Sequence, residues 1–251
     1  DTSGMESKIK IVAMTGMSNV TGKDRSGVAK ELRDIGFQGL ILMDAAQLVA
    51  HKKIDVREIG VDGLVFSGHK IGAPMGVGVV YLKYDLMKKL KPLNYGGEMV
   101  ESVKLVDGKV KMSFAPGPSK FEGGTLNMGA IAGLSATEEF WLKHSEIYGV
   151  EERLTEKIRE ELEGEENIEL YFAENGIISF NVKGVHAHDT AQVLADFGVM
   201  VRAGMMCAEP FLTEKKIGAV VRASLAFYNT NMDVKYFLAC LRRVRGVMGL
   251  E

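Results

Sequence analysis

Three sets of polar side chains follow short apolar runs in the first third of the chain, and they carry residue types that enzymes use for chemistry. The sets consist of Asn19 after IKIVAM, Asp44 and Gln47 after GLILMD, and Ser67, His69 and Lys70 after GLVF. In an open α/β sheet, ligands bind outside the carboxyl ends of the strands. We therefore expect the three sets to converge on one crevice.

Asp44 and Lys70 together predict a cofactor. A carboxylate at the end of a buried strand is costly unless it meets a cation, and a lysine that is nearby but separate in sequence suggests a cofactor between them. Pyridoxal phosphate fits, because its ring nitrogen pairs with a carboxylate, its aldehyde forms a Schiff base with a lysine, and its phosphate needs hydroxyl and imidazole donors. Ser67 and His69 supply those two donors. Only the joint order of the four favours this interpretation, since a strand-end Asp is often just a helix cap.

The two cysteines differ in their surroundings. Cys240 lies among apolar residues of the helical segment KYFLACLRRV, and a buried cysteine is usually a small core residue. Cys207 lies in VRAGMMCAEP, where a glycine and a proline indicate a loop after a candidate strand. Arg202 precedes it in the same segment and supplies a positive charge that favours the thiolate. Cys207 is therefore the predicted nucleophile, and Cys240 is predicted to be inert.

Three other kinds of site fit less well. A hydrolase is disfavoured because a GxSxG elbow is absent and a Ser and a His so close in sequence rarely face each other productively. GKDRSG lacks the Lys that follows the second glycine of a phosphate-binding loop. His186 and His188 in HAHD have no third ligand nearby in sequence, so no metal site is predicted. Asp189 is expected to cap the helix that follows them.

The elements that must position these residues change in character along the chain. Apolar runs of strand length occur at 9–14, 39–44, 63–66 and 76–83, and the first two flank a helix with Val28, Leu32 and Ile35 at helical spacing. This alternation predicts a βαβ unit and buried parallel strands. The residues from 114 to 127 are predicted to form a long surface segment.

The second half of the sequence predicts an α+β pattern. Helices are expected at 128–144, 150–162, 189–197 and 234–247. Strands are expected at ELYFA, GIISFNV, GVMVR and AVVRASL. We therefore predict two domains, 1–142 and 143–251.

Composition excludes several classes of protein. The chain has 251 residues, 46% hydrophobic and 25% charged, with a formal net charge of −2, so it can bury an ordinary core and is neither disordered nor collagen-like. The charges are interspersed, so no nucleic-acid partner is predicted. No apolar run approaches the roughly 20 residues that span a bilayer, and DTSGMESK lacks the apolar stretch of a secretory signal. With only two cysteines besides, a cytoplasmic location without membrane contact is expected.

Six motifs in order resemble those of the class V aminotransferase-fold enzymes, specifically the cysteine desulfurases of the NifS and SufS type. They are SNVTG (18–22), MDAAQ (43–47), SGHK (67–70), FEGGTLN (121–127), RAGMMCAEP (202–210) and VRASLAFYNT (221–230). The resemblance implies an α/β protein with the PLP-dependent transferase fold type I. It implies a partial large domain with a mostly parallel sheet and a small C-terminal α+β domain that carries the cysteine loop.

The resemblance also implies how the cofactor is held. Lys70 would bind pyridoxal 5'-phosphate covalently, Asp44 would pair with its ring nitrogen, and Gln47 would bond its phenolic oxygen. Ser67 and His69 would hold its phosphate.

The remaining implied roles concern substrate and a second subunit. Asn19 and Arg222 would bind the substrate carboxylate, with Arg202 close to the cysteine loop. Gly124 and Thr125 would reach the phosphate of a neighbouring subunit, because sites in this family lie at a dimer interface.

Two features depart from the family pattern. Met205 and Met206 precede the cysteine where many relatives carry one or two His, so any proton transfer by those imidazoles is absent. The match also begins part-way through the family's large domain, without the portion that supplies the ring stacked on the cofactor and a Thr-bearing turn for the phosphate. We expect a separate polypeptide or a longer chain to supply it.

The implied activity is conversion of L-cysteine to L-alanine, with sulfur passed to Cys207 as a persulfide for synthesis of iron–sulfur clusters or other sulfur-containing cofactors. Lys70 would deprotonate the substrate Cα. A homodimer, or a complex with a chain that supplies the missing portion, and a sulfur-acceptor protein are the expected partners. Two alternatives stay open: a selenocysteine lyase or another class V lyase or aminotransferase, and an inactive partner subunit completed by another chain.

Overall fold

The computed structural model describes residues 9–250, which form two compact units. Unit 1 comprises the segment that ends at Met14 together with Val28–Ala46 and Asp55–Lys143. Unit 2 comprises Thr15–Gly27, Gln47–Ile54 and the chain from His144 onward. Thr15–Gly27 and Gln47–Ile54 therefore belong to the same unit as the C-terminal part of the chain. No pattern in the sequence predicts this. The assignment of domains 1–142 and 143–251 stays a prediction.

The chain contains short strands and helices. The strands are β1 (Ile11–Thr15), β2 (Leu40–Asp44), β3 (Gly63–Ser67), β4 (Gly78–Leu82), β5 (Val100–Val106), β6 (Lys109–Phe114), β7 (Ile168–Glu174), β8 (Ile177–Val182), β9 (Arg202–Gly204) and β10 (Val220–Ser224). The helices are α1 (Gly27–Asp34), α2 (Leu48–His51), α3 (Val56–Ile59), α4 (Tyr84–Lys89), α5 (Met128–Lys143), α6 (Val150–Leu162), α7 (Ala187–Asp196), α8 (Glu209–Glu214) and α9 (Asn231–Val247). None of the described helices is long and apolar enough to cross a membrane.

The sheet of unit 1 has the strand order β1-β2-β3-β4. Its strands coincide with the four apolar runs of the first half. Strands β2 and β3 are parallel, whereas β4 runs antiparallel to β3. Because β2 and β3 are parallel neighbours, their carboxyl ends lie at the same edge of the sheet.

Asp62 fixes the opposite edge of this sheet, directly before β3. Its buried carboxylate accepts hydrogen bonds from the Ile41 amide and the Lys83 ammonium, each at 2.8 Å, and from the Arg33 guanidinium. Burial alone raises the pKa of Asp62. The hydrogen bonds from Lys83 and Ile41 and the charges of Arg33 and Lys83 outweigh that effect, so the pKa lies below its ordinary value. Asp62 thus joins α1, β2 and the segment after β4 around one negative charge.

Strands β5 and β6 form a hairpin that is absent from the sequence-based predictions. Asp107 and Gly108 connect them, with φ angles of 52° and 71°. Positive φ at both central residues is the geometry of a type I′ turn, for which Asp-Gly is a favoured pair. The sequence VDGKV was therefore the available signal.

The sheet of unit 2 has the order β7-β8-β10-β9, and the three pairings between its strands are antiparallel. Phe180 and Val221 of the sheet pack with Leu194 of α7 and Leu241 of α9 in the core of the unit. Helix α9 begins with a capping box between Thr230 and Asp233. The predicted helices and strands of this half are present with shifted ends.

Two details of unit 2 differ from the prediction. His186, not Asp189, caps α7, because the helix begins at Ala187 and the His186 ring nitrogen accepts a hydrogen bond from the amide of His188. GVMVR is not a strand over its length, and β9 begins only at its last residue, Arg202. Gly198 and Val199 instead bond back to carbonyls of α7 and end that helix.

Long-range contacts explain why the two early segments belong to unit 2. The Ser179 hydroxyl of β8 donates to the Val20 carbonyl at 2.7 Å, and the Asn175 amide donates to the Gly22 carbonyl at 2.9 Å. In the second segment, His51 pairs with Glu151 of α6, with both side chains largely buried. These contacts join positions that are far apart in the sequence.

Candidate active site

Asp44 and the residues after β3 share one edge of the unit 1 sheet. Asp44 is the last residue of β2 and Ser67 is the last residue of β3, and the parallel register aligns Asp44 with Val65. The exposed Asp44 carboxylate accepts a hydrogen bond from the Ala46 amide at 2.9 Å, which orients it at the strand end. The structure therefore places Asp44 and the segment from Ser67 to Lys70 at the same edge of this sheet. Their convergence with Asn19 on one crevice stays a prediction.

The lysine turn, Gly68–Ile71, is a single 3₁₀ turn that presents Lys70. The Lys70 side chain is exposed. The Ser67 hydroxyl lies 3.2 Å from Nδ1 of His69, so these two predicted phosphate ligands are neighbours. Gly72 closes the turn with a φ of 95°, and its amide donates to the carbonyls of Gly68 and His69. A residue with a side chain is disfavoured in that conformation.

The glycine-rich loop FEGGTLN lies against a second pair of glycines in unit 1. The Gly124 amide donates to the Gly97 carbonyl at 2.9 Å. Gly123 and Gly96 pack so closely that a Cβ on Gly96 would lie 3.1 Å from the Gly123 Cα atom. Thr125 is exposed on this loop. The loop is thus held by its backbone, which leaves the Thr125 side chain at the surface.

Gln47 belongs to unit 2 and is half-buried. It occupies the position before α2, and its side chain does not cap that helix. Its convergence with Asp44 on one cofactor stays a prediction.

In unit 2, Cys207 lies on a strained turn. The cysteine turn, residues 205–208, follows β9, and both Met206 and Cys207 have positive φ angles, 52° and 57°. Non-glycine residues rarely adopt this left-handed conformation, and it recurs at functional sites. The Cys207 side chain is exposed, whereas Cys240 is buried with 3% of its surface accessible. Of the two thiols, Cys207 is therefore the one that a substrate can reach.

Charged and apolar contacts hold the cysteine turn. The Arg202 guanidinium lies 3.6 Å from Sγ of Cys207 and donates to it. Met206 points the opposite way and is 1% exposed in a small apolar cluster with Val20, Leu212 and Val220. Met206 is thus anchored in this cluster, while the next side chain, Cys207, is exposed.

Asn19 connects the cysteine turn to β10. Its side-chain amide donates to the Met206 carbonyl, and its own backbone carbonyl accepts a hydrogen bond from Arg222 at 2.9 Å. Ser18 shapes this segment, because its hydroxyl oxygen accepts hydrogen bonds from the amides of Val20 and Thr21. The structure thus brings Asn19, Arg222 and the cysteine turn together in unit 2.

Arg222 has a like-charged neighbour and an unsatisfied hydrogen-bond donor. It is paired directly with Arg202 across β10 and β9. Burial lowers the pKa of Arg222, the charge of Arg202 lowers it further, and Cys207 opposes the shift. Within residues 9–250, its buried Nε atom has no hydrogen-bond partner. An anion would satisfy that donor and relieve the repulsion between the two guanidinium groups.

Three residues that support this site are absent from the sequence-based predictions. Met206 anchors the cysteine turn, Ser18 shapes the loop of Asn19, and Ser179 holds that loop through the Val20 carbonyl. A serine directly before Asn19 in the motif SNVTG was the signal for Ser18. Nothing local marked the other two, since their partners are distant in sequence.

The fold of the chain is that of known cysteine desulfurases. The crystal structure of the cysteine desulfurase CsdA from Escherichia coli matches with a TM-score of 0.88 at 30% identity, covering 98% of this chain and 63% of that chain. The apo structure of a cysteine desulfurase from Thermococcus onnurineus NA1 matches with a TM-score of 0.84 at 32% identity, covering 98% and 63%. The predicted fold class, a type I PLP-dependent transferase fold, is confirmed.

The family model for aminotransferase class-V matches residues 2–237, and the chain belongs to this family. It is 35% identical over 250 residues to a cysteine desulfurase of Escherichia fergusonii, covering 97% of this chain and 60% of that protein. It is 37% identical over 248 residues to a probable cysteine desulfurase of Halalkalibacterium halodurans, covering 96% and 60%. The chain therefore spans about 60% of the length of these curated relatives.

Proposed function

We propose that the chain acts as a pyridoxal-phosphate-dependent cysteine desulfurase, which converts L-cysteine to L-alanine and transfers the sulfur to Cys207. The observation that carries the proposal is the exposure of Cys207 on a strained turn beside the Arg202 guanidinium, while Cys240 is buried. An aminotransferase that does not transfer sulfur does not require an exposed nucleophilic thiol in its site. The identity of 35–37% to two relatives that bear the name cysteine desulfurase supports the same activity.

The residues of unit 1 fit pyridoxal 5'-phosphate. Asp44 offers an exposed carboxylate and Lys70 an exposed amine at the same edge of the sheet, while Ser67 and His69 offer neighbouring hydroxyl and imidazole groups. When bound, the cofactor serves as an electron sink for the substrate carbon. We assign Asp44 to its ring nitrogen, Lys70 to its covalent attachment, and Ser67 and His69 to its phosphate. Gln47 is assigned to its phenolic oxygen.

Substrate binding is assigned to unit 2. The guanidinium of Arg222, with its unpaired Nε, would bind the carboxylate of cysteine, since guanidinium and carboxylate groups match as paired donors and acceptors. Asn19 holds the backbone of the cysteine turn and is assigned to the same carboxylate. Arg202 stays beside the thiol of Cys207.

The chemistry then needs two groups of this chain. The Lys70 amine takes the proton from the substrate Cα. The Cys207 thiolate attacks the substrate sulfur: an S–S bond forms, the Cβ–S bond breaks, and its electron pair stays on Cβ. A proton delivered to Cβ and the return of the proton from Lys70 to Cα complete alanine, and Cys207 holds a persulfide. Met205 and Met206 cannot move protons, so this turn works without a neighbouring imidazole.

A matched pair of cysteine variants tests the proposal. Cys207→Ser is expected to keep the visible absorbance of bound pyridoxal phosphate through desalting and to lose persulfide formation, because the residue attacks sulfur and does not hold the cofactor. Cys240→Ser is expected to keep both. Alanine release and the mass of the Cys207 peptide, which gains one sulfur atom, are the measurements.

Two outcomes contradict the proposal. If Cys207→Ser still releases alanine and sulfide from L-cysteine at the original rate, sulfur does not pass through Cys207. If the unchanged protein is active on selenocysteine but inert toward cysteine, the reaction is that of a selenocysteine lyase.

The proposal extends to assembly and location. Gly124 and the exposed Thr125 would contact the cofactor phosphate of a second subunit in a homodimer, or in a complex with a chain that supplies the remaining portion of the relatives' length. The Cys207 persulfide would pass its sulfur to an acceptor protein for iron–sulfur cluster synthesis. Cys207 and Cys240 are both free thiols, which suits the reducing cytoplasm.

A further inference from the structure

Helix α5 holds the backbone directly after Lys70 at two points within unit 1. The indole Nε1 of Trp141 donates a hydrogen bond to the carbonyl of Ile71 at 2.9 Å. Two turns earlier on the helix, a Cβ on Gly133 would lie 2.4 Å from Cγ of Pro74, so the helix backbone packs directly on that proline. Ile71 is the last residue of the lysine turn, and Pro74 follows shortly after it.

These contacts come from one face of the helix. Gly133, Thr137 and Trp141 recur at every fourth position and therefore share a face. On the same face, the Thr137 hydroxyl donates to the Gly133 carbonyl at 2.9 Å. The same face thus carries a close backbone contact at one end and a hydrogen-bond donor at the other.

The indole N–H donates to the Ile71 carbonyl, which lies at the end of the lysine turn. The last carbonyls of a helical turn lack partners within the turn and need donors from elsewhere. A half-buried Trp suits this position, because its ring packs against apolar groups while its single N–H reaches a polar partner. The Ile71 carbonyl lies in the same peptide plane as the Gly72 amide, so the direction in which it is held also orients the amide that closes the lysine turn onto Gly68 and His69.

We propose that Trp141 is a positioning residue for Lys70: its indole N–H fixes the Ile71 carbonyl, and this hydrogen bond keeps the lysine turn in the geometry that presents the amine to the cofactor. The inference rests on the proposed function in so far as Lys70 carries pyridoxal phosphate. It requires no contact between Trp141 and the cofactor.

Loss of the hydrogen bond should loosen the lysine turn locally. The amides of Gly72 and Ala73 both donate to the Gly68 carbonyl and are protected only while the turn is closed. Removing one hydrogen bond of ordinary strength should raise the population of the open turn about fivefold. Hydrogen exchange at Gly72 and Ala73 should accelerate by the same factor.

The test compares Trp141→Phe, which keeps an aromatic ring and removes the N–H, with Leu142→Ala, a truncation at a 71% exposed position of the same helix. Amide hydrogen exchange is measured on the full chain without added cofactor. Trp141→Phe is expected to show the fivefold acceleration at Gly72 and Ala73, and Leu142→Ala is expected to match the unchanged chain. Amides of α9 in unit 2 report any general loss of stability.

A second replacement separates the hydrogen bond from the packing of the ring. Trp141 is the single Trp of the chain, so growth on the benzothiophene analogue of tryptophan replaces the N–H by sulfur at this position alone. The analogue should accelerate exchange at Gly72 and Ala73 as Trp141→Phe does. If the analogue leaves their exchange unchanged, the proposal is overturned, even where Trp141→Phe destabilises the whole chain.

Cofactor retention supplies the final readout. Pyridoxal phosphate bound at Lys70 should be lost about fivefold faster on desalting from the analogue-containing protein, since the open turn cannot present the amine. Faster exchange with unchanged retention overturns the link between Trp141 and Lys70. If instead Lys70→Ala keeps the cofactor, the proposed function fails, and the exchange result still reports on the hydrogen bond.

Discussion

Met206 offers the sharpest test of how the cysteine turn is held. Met206→Ala removes three heavy atoms from a side chain that is 1% exposed. Truncations of this kind in a core cost about 2–5 kcal/mol. The cluster around Met206 is small, and half-buried neighbours such as Tyr171 and Phe211 can move into the space. We therefore expect a loss near the lower end, about 2–3 kcal/mol of the free energy of unfolding.

The strained backbone at position 206 does not contribute to the loss of unfolding free energy in Met206→Ala. Met and Ala both carry a Cβ atom, so the left-handed φ of 52° is equally unfavourable for either. Met200→Ala is the matched control, because it removes the same atoms from a side chain that is 80% exposed in the same unit. It should change the free energy by at most about 0.5 kcal/mol.

Urea denaturation followed by far-ultraviolet circular dichroism measures both variants. Persulfide formation on Cys207 should fall in Met206→Ala and persist in Met200→Ala, because only the first loosens the cysteine turn. Equal stabilities of the two variants would refute the reasoning, since Met206 would then contribute no anchoring energy.

Three further predictions concern single side chains. Asp62→Asn should lower the free energy of unfolding by about 2–3 kcal/mol at neutral pH. Because the pKa of Asp62 is lowered in the folded state, the stabilisation by its carboxylate is complete above the ordinary aspartate pKa and is lost as pH falls through the folded-state pKa. Urea titrations at several pH values should therefore show that the variant lacks this part of the loss of stability in acid. Lys70→Ala should abolish the visible absorbance of bound pyridoxal phosphate after desalting, while Lys53→Ala should retain it; equal spectra would contradict the assignment. Thr125→Ala should weaken cofactor retention in a dimer, and a monomer by light scattering that retains the cofactor normally would count against a shared site.

Much of the candidate site could be predicted from the sequence because its signals are local. Asp44 ends one apolar run, Ser67 directly follows another, and Lys70 comes three residues after Ser67; strand ends are marked by the change from apolar to polar residues. Helical spacing likewise predicts α6 with the ends that the structure shows, and the helix expected at 128–144 is present as α5. The Asp107-Gly108 turn belongs to the same class of local signal, although the hairpin around it was overlooked.

Local sequence patterns also predicted that Cys240 is buried and that Cys207 lies in a loop, but they did not show why Cys207 is exposed. An apolar helical context indicates a buried Cys240, and a glycine and a proline indicate a loop at Cys207. Neither pattern contains the left-handed turn or the inward anchor of Met206. Those features arise from packing against Val20 and Leu212, which lie in other segments.

The tertiary structure alone decided the contacts that hold the candidate residues within each unit. Asn19 reaches the Met206 carbonyl across 187 positions, and Trp141 reaches the Ile71 carbonyl across 70. Propensity and periodicity describe what neighbours in sequence do to one another, so they specify strands, helices and turns. A hydrogen bond between distant segments exists only once the packing of the core has brought their backbones together, and no spacing in the sequence encodes it.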